Sequence, residues 1–200
     1  MYTLINGSPK PFSSNSEYFL NIISNDLDNF FKLDLKKDKY DVAINNIKKS
    51  DVLVLAFPLY VDSPPSNVLE FLDYLYDEKI NVENKSLYII INCGFREGEQ
   101  NITGLNIIKR WCEKKKILYK GSILIGAGEI VGKKQYKYIC HKALKQLYNF
   151  RTFIKEKEKC GDLITTMDFF NNKIYCFLAN YNWSKKGKMN GLNKAKIKIK

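Results

Sequence analysis

The sequence contains little histidine and little arginine, and this narrows the chemistry that the chain can perform. His141 is the single histidine, so neither a His-rich metal site nor a His-based catalytic triad is expected. Arginine occurs only at Arg96, Arg110 and Arg151, whereas proteins that read nucleic acids favour the guanidinium group for its paired hydrogen bonds. We therefore predict no metal centre and no nucleic-acid partner.

The positive charge is mostly lysine and is concentrated near the C-terminus. The chain has 33 basic and 21 acidic residues, a formal net charge of +12, and 30 of the basic residues are lysine. Seven lysines and no acidic residue fall within 184–200, which leaves 26 basic against 21 acidic residues, a net charge of +5, over 1–183. We predict a single domain over 1–183 and a Lys-rich tail over 184–200, which is either a solvated end or a weak patch for polyanions.

The cysteines are too scattered for a zinc site or a disulfide framework. None of the five forms a CxxC pair, and their number is odd. They stand at Cys93, Cys112, Cys140, Cys160 and Cys176. Since we also recognise no signal peptide and no long apolar run, we expect reduced thiols, a cytoplasmic location and no membrane association.

Apolar, β-rich runs alternate with helical patterns along the chain. Five strands are predicted, at Tyr2–Ile5, Phe30–Leu35, Asp51–Phe57, Ser86–Asn92 and Gly121–Gly126. Amphipathic segments lie near 15–29, 40–49, 66–78, 101–115 and 136–157. This order predicts a doubly wound α/β fold, in which ligands bind beyond the carboxyl ends of parallel strands. The short apolar segment Lys173–Ala179 is predicted to be strand-like, either as an added strand or as an arm.

The loop after the first strand, NGSPKPFSSNS, is rich in hydroxyl groups. A helix that begins near Asn15 or Ser16 would direct unpaired N–H groups and the positive end of its dipole into this loop. Together with the hydroxyls, these groups could enclose a phosphate monoester, to which Lys10 could add charge. The same residues also suit an ordinary capped turn, because Ser and Asn cap helices and Pro interrupts strands.

The loop after the third strand, FPLYVDSPP, stays apolar at the edge of the sheet where ligands bind. Exposed Leu59, Tyr60 and Val61 would suit a flat hydrophobic ligand. Pro58 and the Pro64–Pro65 pair stiffen the loop. Alternatively, Tyr60 and Val61 pack beneath a neighbouring loop or against a second subunit.

The loop after the fourth strand, NCGFREGEQN, offers polar backbone groups. Gly94 and Gly98 permit close approach of the backbone, and Asn92 could meet the polar edge of a heterocycle. Cys93 has no partner nearby in the sequence and is interpreted as a small buried residue rather than a nucleophile.

The three loops together favour a ligand with one phosphate, a flat apolar ring and a polar ring edge, and flavin mononucleotide (FMN) has these features. An adenine dinucleotide fits less well, because neither GxGxxG nor GxxxxGK[ST] follows the first strand. A glycine run with the spacing GxGxxxG, Gly126–Gly132, follows the last strand and has weak specificity.

Several of these segments, in this order, resemble the flavodoxin-like NAD(P)H-dependent FMN reductase family over about residues 1–150: GSP followed by SNS, FPLYVDSPPSNVLEFL, and NCGFREGEQN before a helix that contains Trp111 and Cys112. The resemblance implies a five-stranded parallel sheet in the order 2-1-3-4-5 with helices on both faces. It also implies flavin contacts. The phosphate would be held by Ser8, Ser14, Asn15 and Ser16, with Lys10 beside them, and the ring would lie along Pro58, Leu59, Tyr60 and Val61 and meet Asn92, Cys93, Gly94, Phe95 and Gly98 at its other edge.

The resemblance further implies an enzyme in which a nicotinamide, NADH or NADPH, passes a hydride to flavin N5. The reduced flavin would then reduce a quinone, flavin, nitro or azo compound, or a metal complex. No protein side chain is assigned a catalytic role, and a homodimer or homotetramer is expected. The alternative is a flavodoxin-type electron carrier without nicotinamide oxidation. Such carriers are typically acidic, whereas residues 1–183 are net basic.

Overall fold

The computed structural model describes residues 1–78, 80–169 and 171–192. The chain divides into two compact units, Met1–Met167 and Asp168–Lys200. The first unit contains a sheet with its covering helices, and the described part of the second contains one helix.

The first unit is built on six parallel strands in the order β2-β1-β3-β4-β5-β6. They are β1 (Tyr2–Asn6), β2 (Phe30–Asp34), β3 (Val52–Pro58), β4 (Ser86–Asn92), β5 (Leu118–Ile125) and β6 (Gly161–Thr165). The order predicted for the first five strands is confirmed. The predicted count of five was wrong, because β6 extends the sheet beyond β5.

The sixth strand is short and only partly buried, and polar side chains hold it. Asp162 accepts hydrogen bonds from Lys109 Nζ at 2.6 Å and from Ser122 Oγ at 3.0 Å, and the Tyr119 hydroxyl donates to the same carboxylate. Partial burial opposes the ionisation of Asp162, but the three donors outweigh it and hold its pKa below the ordinary value. An edge strand stabilised in this way needs no continuous apolar run, so the hydrophobic pattern does not reveal it.

The central strands β3 and β4 are buried along nearly their whole length. They pair in register from Val52 opposite Ser86 to Pro58 opposite Asn92. Burial on both faces explains why both strands are apolar at consecutive positions. The pairing brings Pro58 and Asn92 side by side at the carboxyl edge of the sheet.

Helices cover both faces of the sheet, as predicted for a doubly wound fold. They are α1 (Asn15–Ser24), α2 (Tyr40–Lys49), α3 (Ser66–Asp77), α4 (Ile102–Lys115), α5 (Gly128–Val131) and α6 (His141–Glu156). On one face, buried side chains of α2, α3 and α4 form a single apolar cluster with those of β3 and β4. On the other face, α1 lies beside α6, and Phe150 of α6 meets Tyr88 with ring centroids 5.9 Å apart. Helix α1 ends five residues earlier than the predicted limit, because residues 25–28 turn towards β2.

The second unit contains α7 (Asn172–Met189). The strand-like prediction for Lys173–Ala179 was therefore wrong. A short apolar run suits a strand or a helix equally well, and here Asn171 caps a helix by accepting a hydrogen bond from the Ile174 amide at 3.0 Å. The predicted Lys-rich tail begins inside α7, and its residues 193–200 lie outside the described part. Among the described helices, none is both long enough and apolar enough to span a membrane.

Candidate functional site

Four loops meet at the carboxyl edge of the sheet, where β1, β3, β4 and β5 end. We call them loop one (residues 7–14), loop two (59–65), loop three (93–101) and loop four (126–133). Main-chain hydrogen bonds join each loop to its neighbour's strand or loop. Leu59 N donates to Asn92 O at 2.8 Å, and Gly128 N donates to Cys93 O at 2.9 Å. The three loops predicted from the sequence therefore form one continuous edge, with loop four as a fourth member.

Loop one folds back on itself through polar contacts. The Ser8 amide donates to Asn6 Oδ1 at 3.1 Å, and the Lys10 amide donates to Ser8 Oγ at 3.4 Å. Ser8 is buried, whereas Lys10 is exposed. A second lysine reaches loop one from elsewhere in the chain: Lys36 Nζ donates to Pro9 O at 2.9 Å. The sequence of loop one contains no signal of this contact. Lys36 thus adds a positive charge beside loop one to that of Lys10 within it.

The first turn of α1 lies beside loop one. Ser14 is the N-cap, and its Oγ accepts a hydrogen bond from the Glu17 amide at 3.1 Å. The capped-turn interpretation is therefore correct for Ser14, whose hydroxyl hydrogen is still able to donate. Asn15 is half-buried, and Ser16 is buried. The amides of the first helical turn and these polar side chains form the anion-attracting end of α1.

Loop two contains a tight two-residue turn in a left-handed conformation. Val61 and Asp62 have φ values of 48° and 57°, and they connect Tyr60 and Ser63, whose main chains exchange hydrogen bonds of 2.9 and 3.0 Å. A β-branched residue is rare in this region of backbone space. Val61 is nevertheless 98% exposed, so no packing within the described structure explains its presence. The prediction of an exposed Leu59 was wrong, because its side chain belongs to the apolar core.

Tyr60 is partly exposed and lies near loop four. Burial of part of its ring and the neighbouring Glu129 carboxylate raise the pKa of the Tyr60 hydroxyl, which therefore stays protonated at neutral pH. Glu129 belongs to α5 and was not among the residues predicted for the site. Glu129 lies at this edge because β5, the strand before it, pairs with β4, and the sequence of loop four alone contains no signal of this pairing.

Asn92 and Cys93 turn inward at the start of loop three. Asn92 Nδ2 donates to Ser16 Oγ at 3.2 Å and to Phe57 O at 3.1 Å, and the residue is 4% exposed. Cys93 is buried as well, and its burial raises the pKa of the thiol despite hydrogen bonds with Phe95 O and Asn101. This environment agrees with the interpretation of Cys93 as a buried residue and not a nucleophile.

The rest of loop three is open at its tip and tightly packed at its end. Gly94 and Phe95 are exposed, and a Cβ built on Gly94 would meet no atom within 4 Å. A Cβ on Gly98 would lie 2.5 Å from both Leu124 O and Thr165 O. Glycine at position 98 is therefore required for packing against the sheet, while the surroundings of Gly94 have space for a ligand.

The glycine run in loop four holds loop three and α1 in place. A Cβ on Gly128 would lie 2.8 Å from Asn92 Oδ1, and one on Gly132 would overlap the side chain of Asn15. Ala127, directly before Gly128, has a left-handed φ of 51°. The GxGxxxG spacing in this chain thus corresponds to close packing behind the candidate site.

Comparisons with solved structures identify the fold. No protein-family model and no curated protein matches this chain. An NADPH-quinone reductase from P. pentosaceus is similar, with a TM-score of 0.58, 18% identity, and coverage of 76% of this chain and 95% of that chain. An FMN-dependent NADH-azoreductase from Bacillus anthracis, solved with FMN, has a TM-score of 0.57 and 12% identity, with coverage of 77% of this chain and 99% of that chain. A flavodoxin from the domain Archaea has a TM-score of 0.56 and 12% identity, with coverage of 78% of this chain and 98% of that chain. The chain therefore has a flavodoxin-like fold.

Proposed function

We propose that this protein is an FMN-dependent NAD(P)H oxidoreductase that reduces a quinone, a flavin, a nitro or azo compound, or a metal complex. One observation carries the proposal: the exposed apolar residues Tyr60, Val61 and Phe95 lie on the same edge of the sheet as the polar N-terminus of α1. An apolar surface beside an anion-attracting helix end suits a flat ring that carries a phosphate. The names of the two similar reductases, which include a quinone reductase and an azoreductase, support the same class of reaction.

The phosphate would bind at the N-terminus of α1. The hydroxyls of Ser8, Ser14 and Ser16, the Asn15 amide and the main-chain N–H groups of the first turn are hydrogen-bond donors, and Lys10 adds positive charge at the rim. Such a site needs neither a metal ion nor a P-loop lysine.

The flavin ring would lie between loop two and loop three. Pro58, Tyr60 and Val61 would line one side, with Leu59 buried between them in sequence. The exposed Gly94 and Phe95, which follow the buried Asn92 and Cys93, would meet the other edge. The open space at Gly94 fits this arrangement, because a Cβ there would contact nothing within 4 Å. Gly98 is too closely packed against β5 and β6 to reach a ligand through its α-carbon, so its role would be to hold loop three.

Bound FMN would supply the redox chemistry by accepting a hydride at N5 and passing electrons to the acceptor. The residues of the chain would bind the cofactor, orient it and exclude water from one side. The pKa of the Tyr60 hydroxyl is raised further above neutral pH, so Tyr60 can donate a hydrogen bond without carrying charge. Neither Cys93, a buried thiol with a raised pKa, nor His141, which is exposed and bonded to Tyr138 O, is required as a catalytic group.

The proposal is tested by flavin binding followed by turnover. The purified protein is titrated with FMN and with FAD, and flavin fluorescence measures binding; NADH and NADPH oxidation is then followed anaerobically with a quinone and with an azo dye. We expect tight binding of FMN and oxidation of at least one nicotinamide. A protein that binds no FMN would refute the proposal.

A matched pair of lysine variants locates the phosphate. Lys10→Gln removes a charge beside loop one, whereas Lys114→Gln removes one at the exposed end of α4. We expect Lys10→Gln to weaken FMN binding several-fold and Lys114→Gln to leave it unchanged, because an exposed charge acts over about 10 Å. Equal effects of the two variants would count against a phosphate at α1.

A flavodoxin-type electron carrier is the second candidate, favoured by the similarity to an archaeal flavodoxin. It predicts FMN binding without nicotinamide oxidation, so the same turnover assay separates it from the reductase. The cytoplasmic location and the homodimer or homotetramer expected from the sequence remain part of the proposal, and sedimentation of the FMN-bound protein tests the oligomeric state.

A further inference from the structure

The carboxamide of Asn92 lies beneath the candidate site and joins two of its parts. One Nδ2 hydrogen bond reaches Ser16 Oγ, in the first turn of α1, at 3.2 Å. The other reaches Phe57 O, next to the start of loop two, at 3.1 Å. Along the chain, Ser16 lies 76 positions and Phe57 lies 35 positions from Asn92. One buried side chain thus bridges the proposed phosphate subsite and the proposed ring subsite.

The bridge has little freedom to move. Asn92 O accepts a hydrogen bond from the Leu59 amide at 2.8 Å, which ties loop two to the same residue. On the opposite side, Gly128 leaves just enough room for the carboxamide, since a Cβ there would come within 2.8 Å of Asn92 Oδ1. Both hydrogens of the Asn92 amide are used, and reversing the amide would set its oxygen against the carbonyl of Phe57. The orientation is therefore determined by its partners.

We propose that Asn92 is a positioning residue that fixes the distance between the phosphate subsite at α1 and the ring subsite at loop two. This inference rests on the proposed FMN binding and refines it. From the sequence, Asn92 was predicted to meet the polar edge of the ring. Its side-chain amide is instead committed to Ser16 and Phe57, so that its contribution to binding is made through the loops.

The expected consequence is a change in selectivity between FMN and riboflavin. FMN engages both subsites at once, and the gain from two-point binding depends on a fixed distance between them. Riboflavin has no phosphate and uses the ring subsite alone. Loosening the bridge should therefore weaken the binding of FMN more than the binding of riboflavin. General destabilisation of the protein should weaken the binding of both equally.

The test compares Asn92→Leu with a matched control, Asn101→Leu. Asn101 is fully buried in loop three, but its Nδ2 contacts Cys93, Gly98 O and Ile125 O and reaches neither α1 nor loop two. For both variants and for the wild type, fluorescence titration gives the ratio of the riboflavin Kd to the FMN Kd. We expect Asn92→Leu to lower this ratio about tenfold, a part of the roughly 10²–10⁴-fold gain that two-point binding can give, and Asn101→Leu to leave it unchanged. Equal ratios in both variants would overturn the inference.

A second pair of variants isolates the contact with Ser16. Ser16→Ala removes the acceptor of one bond, and it also removes a hydroxyl that could donate to phosphate directly. If the two residues act through their contact, the double variant with Asn92→Leu should lower the ratio by less than the product of the single effects. Independent, multiplicative effects would show that Ser16 serves the phosphate without Asn92 and would overturn the bridging role.

A readout without ligand separates failure of this inference from failure of the proposed function. In the flavin-free protein, Asn92→Leu should raise amide hydrogen exchange in the first turn of α1 and in loop two together, whereas Asn101→Leu should raise neither. A wild type that binds no flavin refutes the proposed function. A wild type that binds FMN, combined with an unchanged ratio in Asn92→Leu, refutes the positioning role alone.

Discussion

Replacing Val61 with asparagine should stabilise the flavin-free protein. Val61 has a φ of 48° in the two-residue turn of loop two, and left-handed backbone costs an L-residue roughly 1–2 kcal/mol. A β-branched side chain is poorly suited to this conformation, whereas asparagine is favoured in turns with two positive φ values. Because Val61 is 98% exposed, the substitution removes no packing that could offset the gain.

The expected gain in the free energy of unfolding is about 1 kcal/mol, since asparagine relieves part of the left-handed cost and not all of it. For a chain of this length, that gain corresponds to a rise in Tm of about 2–4 °C. Urea denaturation followed by circular dichroism measures the gain directly. Val42→Asn in α2 is the control: Val42 is 52% exposed, lies in an ordinary helix, and should respond little because valine and asparagine have similar helix propensities.

A loss of stability in Val61→Asn, or a change no larger than that of Val42→Asn, would refute the strain argument. The same variant also tests whether Val61 touches the flavin. If it does, the more polar side chain should weaken FMN binding by up to about tenfold, the equivalent of burying most of a valine. Higher stability with unchanged FMN affinity would support the strain argument and would show that Val61 does not contact the flavin ring.

Three further predictions concern the edge strand, loop four and the thiols. Asp162→Asn should lower the free energy of unfolding at neutral pH by only about 1 kcal/mol, because the carboxylate is 34% exposed. Folding lowers the pKa of Asp162, so the difference in unfolding free energy between variant and wild type should disappear as the pH falls from the ordinary carboxyl pKa through the lowered one. Parallel curves of stability against pH for the two proteins would contradict this. Gly128→Ala should displace the Asn92 carboxamide and reduce the riboflavin-to-FMN Kd ratio as Asn92→Leu does; an unchanged ratio in titrations would count against the packing argument. Cys93 should be alkylated by iodoacetamide far more slowly than exposed Cys176, since burial raises the pKa of the Cys93 thiol, and equal labelling in peptide mass mapping would disprove this.

The elements that were predicted well are those whose burial is continuous. β3 and β4 are covered on both faces, so their sequences are apolar throughout, and their predicted bounds differ from the observed ones by no more than one residue. β6 is partly buried and is held by the hydrogen bonds of Asp162, which leave no periodic apolar signal. The segment Lys173–Ala179 was assigned to the wrong class because a short apolar run contains no information about its period.

The candidate loops could be located from the sequence because parallel strands end at one edge, but the directions of their side chains could not. The Asn92 carboxamide faces inward because of Ser16, which is 76 residues away, and no local pattern encodes such a contact. The glycines of loop four were visible as a spacing. Their role depends on Asn92 and Asn15 lying against them, which follows only from the packed structure.

The candidate site combines a strained residue, Val61, with loops that main-chain hydrogen bonds hold together. Main-chain bonds from Leu59 to Asn92 and from Gly128 to Cys93, of 2.8 and 2.9 Å, tie the loops to one another. Loops held in this way lose little conformational entropy when a ligand binds, and a strained residue persists only where its surroundings over-determine it. If this is why Val61 keeps its left-handed conformation, Val61→Asn should slow amide exchange in loop two by no more than about fivefold, the equivalent of its strain relief of about 1 kcal/mol, because the turn itself is imposed from outside. Asn92→Leu should increase amide exchange in loop two, because it removes the side-chain hydrogen bond to Phe57 O, which helps to hold the loop. The opposite pattern would mean that the residues of the turn, and not the bonds beneath it, determine its shape.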